Sequence, residues 1–178
     1  MKEIDVEIRG TTPLLMHSTE AMTEAVMTKN PTKQYDAKEY AEKVAYRNKK
    51  GILYIPSRCL KACIINASSW YKFGRKSAKP IIAGCVRIEP YEISLNTKKY
   101  VIDLRPVVIQ RARIIRARPR LDDWKLKFKL IYNEKMIQNT NLLKEILEEA
   151  GQRIGLLDNR PQRYGENGTF KITKFSPK

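Results

Sequence analysis

One histidine stands in the sequence, His17, in the stretch PLLMHS. Its ordinary pKa suits proton transfer near neutral pH, so general acid–base chemistry would run through it. A lone histidine beside an apolar Leu-Leu-Met run is more commonly a packed or surface residue. No convincing carboxylate pair, Ser-His-Asp set or Walker-type phosphate loop accompanies it. Cys59 and Cys63 lie four apart on an expected helix with no second Cys/His pair. They read as small buried residues rather than metal ligands. The expectation is a protein that is not an enzyme and needs no cofactor and no metal.

The richer chemistry is cationic. Lys and Arg number 35 against 19 Asp and Glu, a net charge of +16 on 178 residues. That excess goes beyond the needs of solubility and implies a polyanionic partner. Its distribution is sharper than its total. Between Glu42 and Glu89 no acid occurs, while Lys49, Lys50, Arg58, Lys61, Lys72, Arg75 and Lys76 do, interleaved with Tyr46, Tyr54, Trp70, Tyr71 and Phe73. A second basic block carries Arg111, Arg113, Arg116, Arg118 and Arg120. The tail GQRIGLLDNRPQRYGENGTFKITKF adds Arg160, Arg163 and Tyr164 among four glycines. Cations for phosphates beside rings for bases suit single-stranded nucleic acid. Ser57, Arg58, Lys61, Trp70, Tyr71 and the lysines and arginines just named are the candidate contacts. No single amphipathic helix carries the charge, so a membrane surface is the weaker reading.

The positioning elements follow from pattern. Glu3 to Arg9 alternate, with Ile4, Val6 and Ile8 on one side: a half-buried strand. Residues 18–34 have no firm period and are expected to be a long loop or mobile arm. DAKEYAEKVAYRN reads as a helix capped by Asp36 with Glu39 completing a capping box. ILYI is a strand, and Ser57 is expected to cap the helix SRCLKACIINASSWYKF. GRKSAKP reads as a basic loop, and IIAGCVRIEPYEISL as strand. YVIDLRPVVIQRARIIRA and WKLKFKLIYN read as a long hairpin turning at ARPRLDDW, with a bulge expected at Ile114-Ile115 to bring the arginines onto one face. NTNLLKEILEEAGQ is a third helix, capped at Asn139 or Thr140 and stopped at Gly151. TFKITKF is a last strand. Together this predicts one α+β domain over 1–178: a ferredoxin-like, RRM-type antiparallel sheet with helices on one face, a long basic hairpin and an early insertion. No apolar run of transmembrane length and an odd count of three cysteines point to a reduced, cytoplasmic setting.

Two stretches are similar to a known family. GILYIPSRCLKACIINAS resembles the G-x-x-Y-I-P-x-S-S-L-K-G segment of the RAMP superfamily through Gly51, Tyr54, Ile55, Pro56, Leu60 and Lys61. The tail resembles that superfamily's C-terminal glycine-rich loop, with Leu156 and Leu157 interrupting the usual spacing, and is expected to let backbone amides approach phosphates while its arginines anchor them. The superfamily includes the crRNA-binding backbone subunits of CRISPR effector complexes, and this chain looks like one of them or a stand-alone or viral relative. The resemblance implies that the helix after YIP lies along a nucleic-acid backbone, with Ser57, Arg58 and Lys61 on phosphates. It implies that residues 18–34 form a thumb-like insertion reaching a neighbouring subunit. It also implies homo-oligomeric coating of a strand. Some members cleave RNA without metal through a histidine, which would be His17 here. Others use an aspartate of the early insertion, and Asp36 is read instead as a cap. A basic protein-docking module is the remaining alternative.

Overall fold

The computed structural model describes residues 1–18, 36–109 and 111–178, with backbone alone at 107, 109 and 112–114. The arm expected over 18–34 lies outside the described residues apart from Ser18, whose amide donates to the Val44 carbonyl.

Strand β1 (Lys2–Gly10) buries Ile4, Val6 and Ile8 and turns Glu3, Asp5 and Glu7 the other way. It is central to a four-stranded sheet with β6 (Val86–Glu89), β10 (Lys125–Tyr132) and β11 (Phe170–Pro177). The strand order is β11-β1-β10-β6 and every neighbour is antiparallel. The connections run β1, helix α2 (Ser57–Ala67), β6, β10, helix α4 (Thr140–Glu149), β11. That is the split β-α-β-β-α-β arrangement of an α+β domain. Leu60, Cys63 and Ile64 of α2 and Leu143, Ile146 and Leu147 of α4 sit at helical spacing and share one core with Leu126, Phe128 and Leu130 of β10.

The smaller elements are β2 (Leu14–Leu15), α1 (Ala37–Lys43), β3 (Tyr54–Pro56), β4 (Lys72–Phe73), β5 (Lys76–Ser77), α3 (Ala78–Cys85) and β7 (Glu92–Ser94). A long ribbon is made by β8 (Val101–Ile109) and β9 (Ala112–Leu121), with β2 beside β9.

Local signals acted largely as read. The Asp36 carboxylate accepts from the amides of Lys38 and Glu39, and Asn139 does the same for Asn141 and Leu142. Several expectations are corrected. Helix α1 stops at Lys43 rather than running to Asn48, because Tyr46 turns into the core. Ser57 is the first helical residue, not the cap; Pro56 holds the cap position without a side-chain bond. The segment from Lys76 is β5 and then α3, where loop and strand were expected. Pro80 falls in the first turn of α3, where a missing N–H costs nothing, and Ala78, Ile81 and Ile82 are buried. The ribbon pairs from Ile109↔Ala112 outward, so ARPRL is strand and pairs back on β8. Its register is uniform from Val101↔Arg120 to Ile109↔Ala112, so Ile114-Ile115 make no bulge. Gly151 does not end the third helix: the chain continues as a wider π turn, Ala150–Ile154, and stops at Gly155 with φ 73°. Gly151 is instead needed for a close approach, since a Cβ there would run into the Phe170 carbonyl.

Candidate nucleic-acid interface

In an RRM the exposed sheet face carries the ligand-binding aromatics. Here that face is an ion-pair lattice. The lysine row of β10 meets the acid row of β1: Lys127 to Glu7 at 3.2 Å and Lys129 to Glu3 at 3.0 Å, with Lys178 reaching Asp5 at 2.8 Å. Lys127 and Lys129 are occupied by cross-strand pairing, while Lys125 of the same row sits opposite Arg9.

A different surface joins α2 to the tail. The Cys63 thiol donates to the carbonyls of Ala150 and Gly155, both at 3.3 Å, and burial pushes its pKa up to about 12, so it stays neutral. The tail loop then closes on itself. The Leu156 amide donates to Gly168 and the Asn167 amide to Asn159, both at 2.9 Å, and the Asn159 side chain donates to Asn167 at 2.6 Å. It is also pinned to the segment after β1: the Gly168 amide donates to Pro13 at 2.8 Å and the Asp158 amide to Leu15 at 3.1 Å. The sequence suggested glycine amides free to approach phosphates. The structure corrects this. The amides of Gly155, Gly165 and Gly168 donate to Ala150, Arg160 and Pro13. At Gly165 and Gly168 a Cβ would collide with the carbonyls of Asn159 and Leu156, so these glycines serve the closure of the loop.

What the loop presents outward is side chain. Arg163 is exposed, and Tyr164, in a left-handed conformation at φ 61°, is fully exposed. Arg160 turns inward and donates from Nη1 to the Leu157 carbonyl at 2.7 Å. On α2, Arg58 is exposed and Lys61 half-buried. Ser57 is half-buried, and its amide donates to the Tyr91 carbonyl at 2.8 Å rather than standing open to an anion.

The other cations divide by environment. The ribbon's regular register puts Arg116, Arg118 and Arg120 on one side with Asp103 and Arg105. Arg118 is buried between two carboxylates: Nη1 to Asp158 at 2.7 Å and Nη2 to Asp103 at 3.2 Å. It is a structural clamp and is not open to a phosphate. Arg116 donates from Nη1 to His17 Nε2 at 2.6 Å, and Arg120 pairs with Asp122 at 2.9 Å. Arg111 is exposed at the ribbon tip; Arg113 occupies the register position opposite Val108, and its side chain is outside the description. Burial, with the nearby guanidinium charges of Arg116 and Arg118, holds His17 below its ordinary pKa although Asp158 opposes the shift. His17 is thus a neutral acceptor.

Lys49 and Lys50 are exposed on a turn after α1, beside Arg47, which is paired to Glu42 and lies 5.4 Å over the Tyr100 ring. Lys72, Arg75 and Lys76 are exposed on the β4–β5 hairpin. Tyr71 is half-buried against the core, while Trp70 is 53% exposed with Arg153 stacked on its ring at 4.4 Å. Sequence reasoning named α2 and the tail separately as phosphate contacts, and the structure packs them against each other. That reasoning missed Asp103 and Asp158, whose isolated acid charges inside basic stretches were the available signal. Among the described residues no cluster of three or more His, Cys, Asp or Glu is placed to hold a metal, and no helix is long and apolar enough to cross a membrane.

No family model and no curated protein matches the chain. A chain of an RNA-bound complex has this fold. It belongs to the type III-B Cmr-beta structure, determined by cryo-EM with cognate target RNA, and aligns with a TM-score of 0.63 at 14% identity. The alignment covers 99% of the present chain and 60% of that one, so the present chain spans about three-fifths of its length. At that identity the likeness is one of fold.

Proposed function

We propose that the protein binds single-stranded nucleic acid without cutting it, and coats the strand as repeated copies. One contrast carries the reading. On the open sheet face, where an RRM would bind, Lys127 and Lys129 are tied to acids, whereas Arg58 on α2 and Arg163 and Tyr164 on the adjoining tail loop are turned to solvent. Cations beside an unsupported aromatic ring fit phosphates and stacked bases. The shared fold of the RNA-bound Cmr-beta chain supports the same choice of ligand class.

Binding is favoured over catalysis by the setting of His17. Its Nε2 is taken by Arg116, and its Nδ1 is buried with no partner among the described residues, so neither ring nitrogen is offered to a ribose hydroxyl. Repetition along a strand is supported by the ribbon. Leu104, Val108 and Ile115 are 54%, 68% and 59% exposed on the side opposite the arginine cluster. Such an apolar run suits contact with a neighbouring copy.

The test is binding to single-stranded RNA, single-stranded DNA and duplex of equal length, over a salt series, with the complexes sized. Steep salt dependence, preference for single strands, and stoichiometry rising with oligonucleotide length are expected. Equal affinity for duplex, or binding indifferent to salt, would overturn the reading.

A further inference from the structure

Two hollows run together along the C-terminal half of α2. The first, about 160 Å³, lies between α2 and the tail at Cys63, Gly155 and Arg160. The second, about 300 Å³, is bordered by Trp70, Lys79 and Arg153. Asn66, Ile154 and Gln162 line both, so they form one groove. No acidic residue lines either hollow.

The wall is pre-set. Arg153 stacks on Trp70 at 4.4 Å and is itself held by Glu149 at 2.8 Å, which fixes the ring while leaving it 53% exposed. Ile154 gives an apolar floor. The polar groups around it are not consumed. The Asn66 amide has no side-chain partner among the described residues. Gln162 spends only its oxygen, accepting from Arg160 Nε at 3.2 Å. Lys79 is exposed and makes no ion pair among the described residues.

We propose that this groove takes a single nucleobase turned out of the bound strand. The base stacks on Trp70, the amides of Asn66 and Gln162 meet its hydrogen-bonding edge, and Lys79 takes the adjoining phosphate. The volume is at the lower end for small-molecule sites, which suits one base and not a longer ligand. Stacking on an aromatic ring accepts any base, whereas paired amides discriminate between bases. The groove therefore adds base preference at one position to an otherwise sequence-tolerant surface. This rests on the proposed strand binding.

Trp70 and Trp124 are the only tryptophans, and Trp124 is 3% exposed, so Trp70 reports on its own groove. The experiment titrates wild type, W70F and the double variant N66L/Q162L with homopolymeric RNA 12-mers of each base and with an abasic 12-mer, chosen at roughly the footprint of an ssDNA-binding fold. Expected are quenching by the base-bearing oligomers and none by the abasic one or in W70F. N66L/Q162L should level the affinities for the four homopolymers while keeping salt-dependent binding. Quenching that persists in W70F, or equals that by the abasic oligomer, would overturn the groove and leave strand binding intact. Absence of binding by every oligomer, measured independently by anisotropy, would overturn both.

Discussion

Arg118 of the ribbon reaches Asp158 of the tail loop, with Nη1 2.7 Å from Oδ2, and its other terminal nitrogen lies 3.2 Å from Asp103 on the facing strand. One buried guanidinium thus ties β8, β9 and the tail together. The five arginines read as one binding row therefore separate into a clamp and contacts. Arg118→Ala removes the cation that bridges Asp103 and Asp158, though Asp103 keeps Arg105 at 3.1 Å, and should cost about 1.5–3 kcal/mol. Arg163→Ala removes an exposed side chain and should stay within about 0.5 kcal/mol. Chemical denaturation of the two variants checks the difference; equal stabilities would refute the clamp.

The same junction sets the pH response. His17 has a folded pKa below its ordinary 6.5, so the unfolded chain takes up the proton first and stability falls as pH drops below about 6.5. For Asp158, burial pushes the pKa up, but the Arg118 hydrogen bond and charge outweigh it and the net shift is down. Its contribution is present above about 3.8 and lost as pH falls below that value. Melting temperature should decline in two stages on acidification, and His17→Gln should remove the upper stage only. A His17→Gln profile matching wild type between pH 7 and 5 would contradict this assignment.

Binding should lose salt dependence where the interface lies and nowhere else. For single strands the slope of log K against log salt is about −0.7 per phosphate contact. The triple variant R58A/K61A/R163A should lower its magnitude by about 2. Lys127→Ala with Lys129→Ala, on the paired sheet face, should leave the slope unchanged. A salt titration by fluorescence anisotropy distinguishes the two surfaces, and a reversed pattern would move the site to the sheet.

Gly168 has φ 74° and no room for a Cβ beneath the Leu156 carbonyl, so Gly168→Ala should cost at least about 1–3 kcal/mol. Gly84 lies exposed near the end of α3 with open space around it, and Gly84→Ala should gain about 0.5–1 kcal/mol. Thermal melts of the pair test whether the tail glycines serve loop geometry; a neutral Gly168→Ala would return them to a role in ligand approach.

The sequence by itself determined the sheet and its two covering helices. Their periods are local properties: Ile4, Val6 and Ile8 alternate, Leu126, Phe128 and Leu130 alternate, and Leu143, Ile146 and Leu147 recur at helical spacing, so each element carries its own buried face. Asp36 and Asn139 announced helix starts because a cap bonds amides two and three residues away. The segment around Pro56 and the glycine-rich tail stood out in the sequence one by one, but their packing against each other did not. Only the tertiary structure decided which cations are free. Lys127 and Lys129 look like Arg58 and Lys61 in the sequence, yet the first two face acids on a strand about 120 residues earlier, a distance no local pattern spans. Arg118 looks like Arg111, yet a uniform register and a carboxylate from the tail bury it. Charge is written residue by residue, but its availability depends on which distant acid the fold places opposite, and that is a property of pairing in three dimensions.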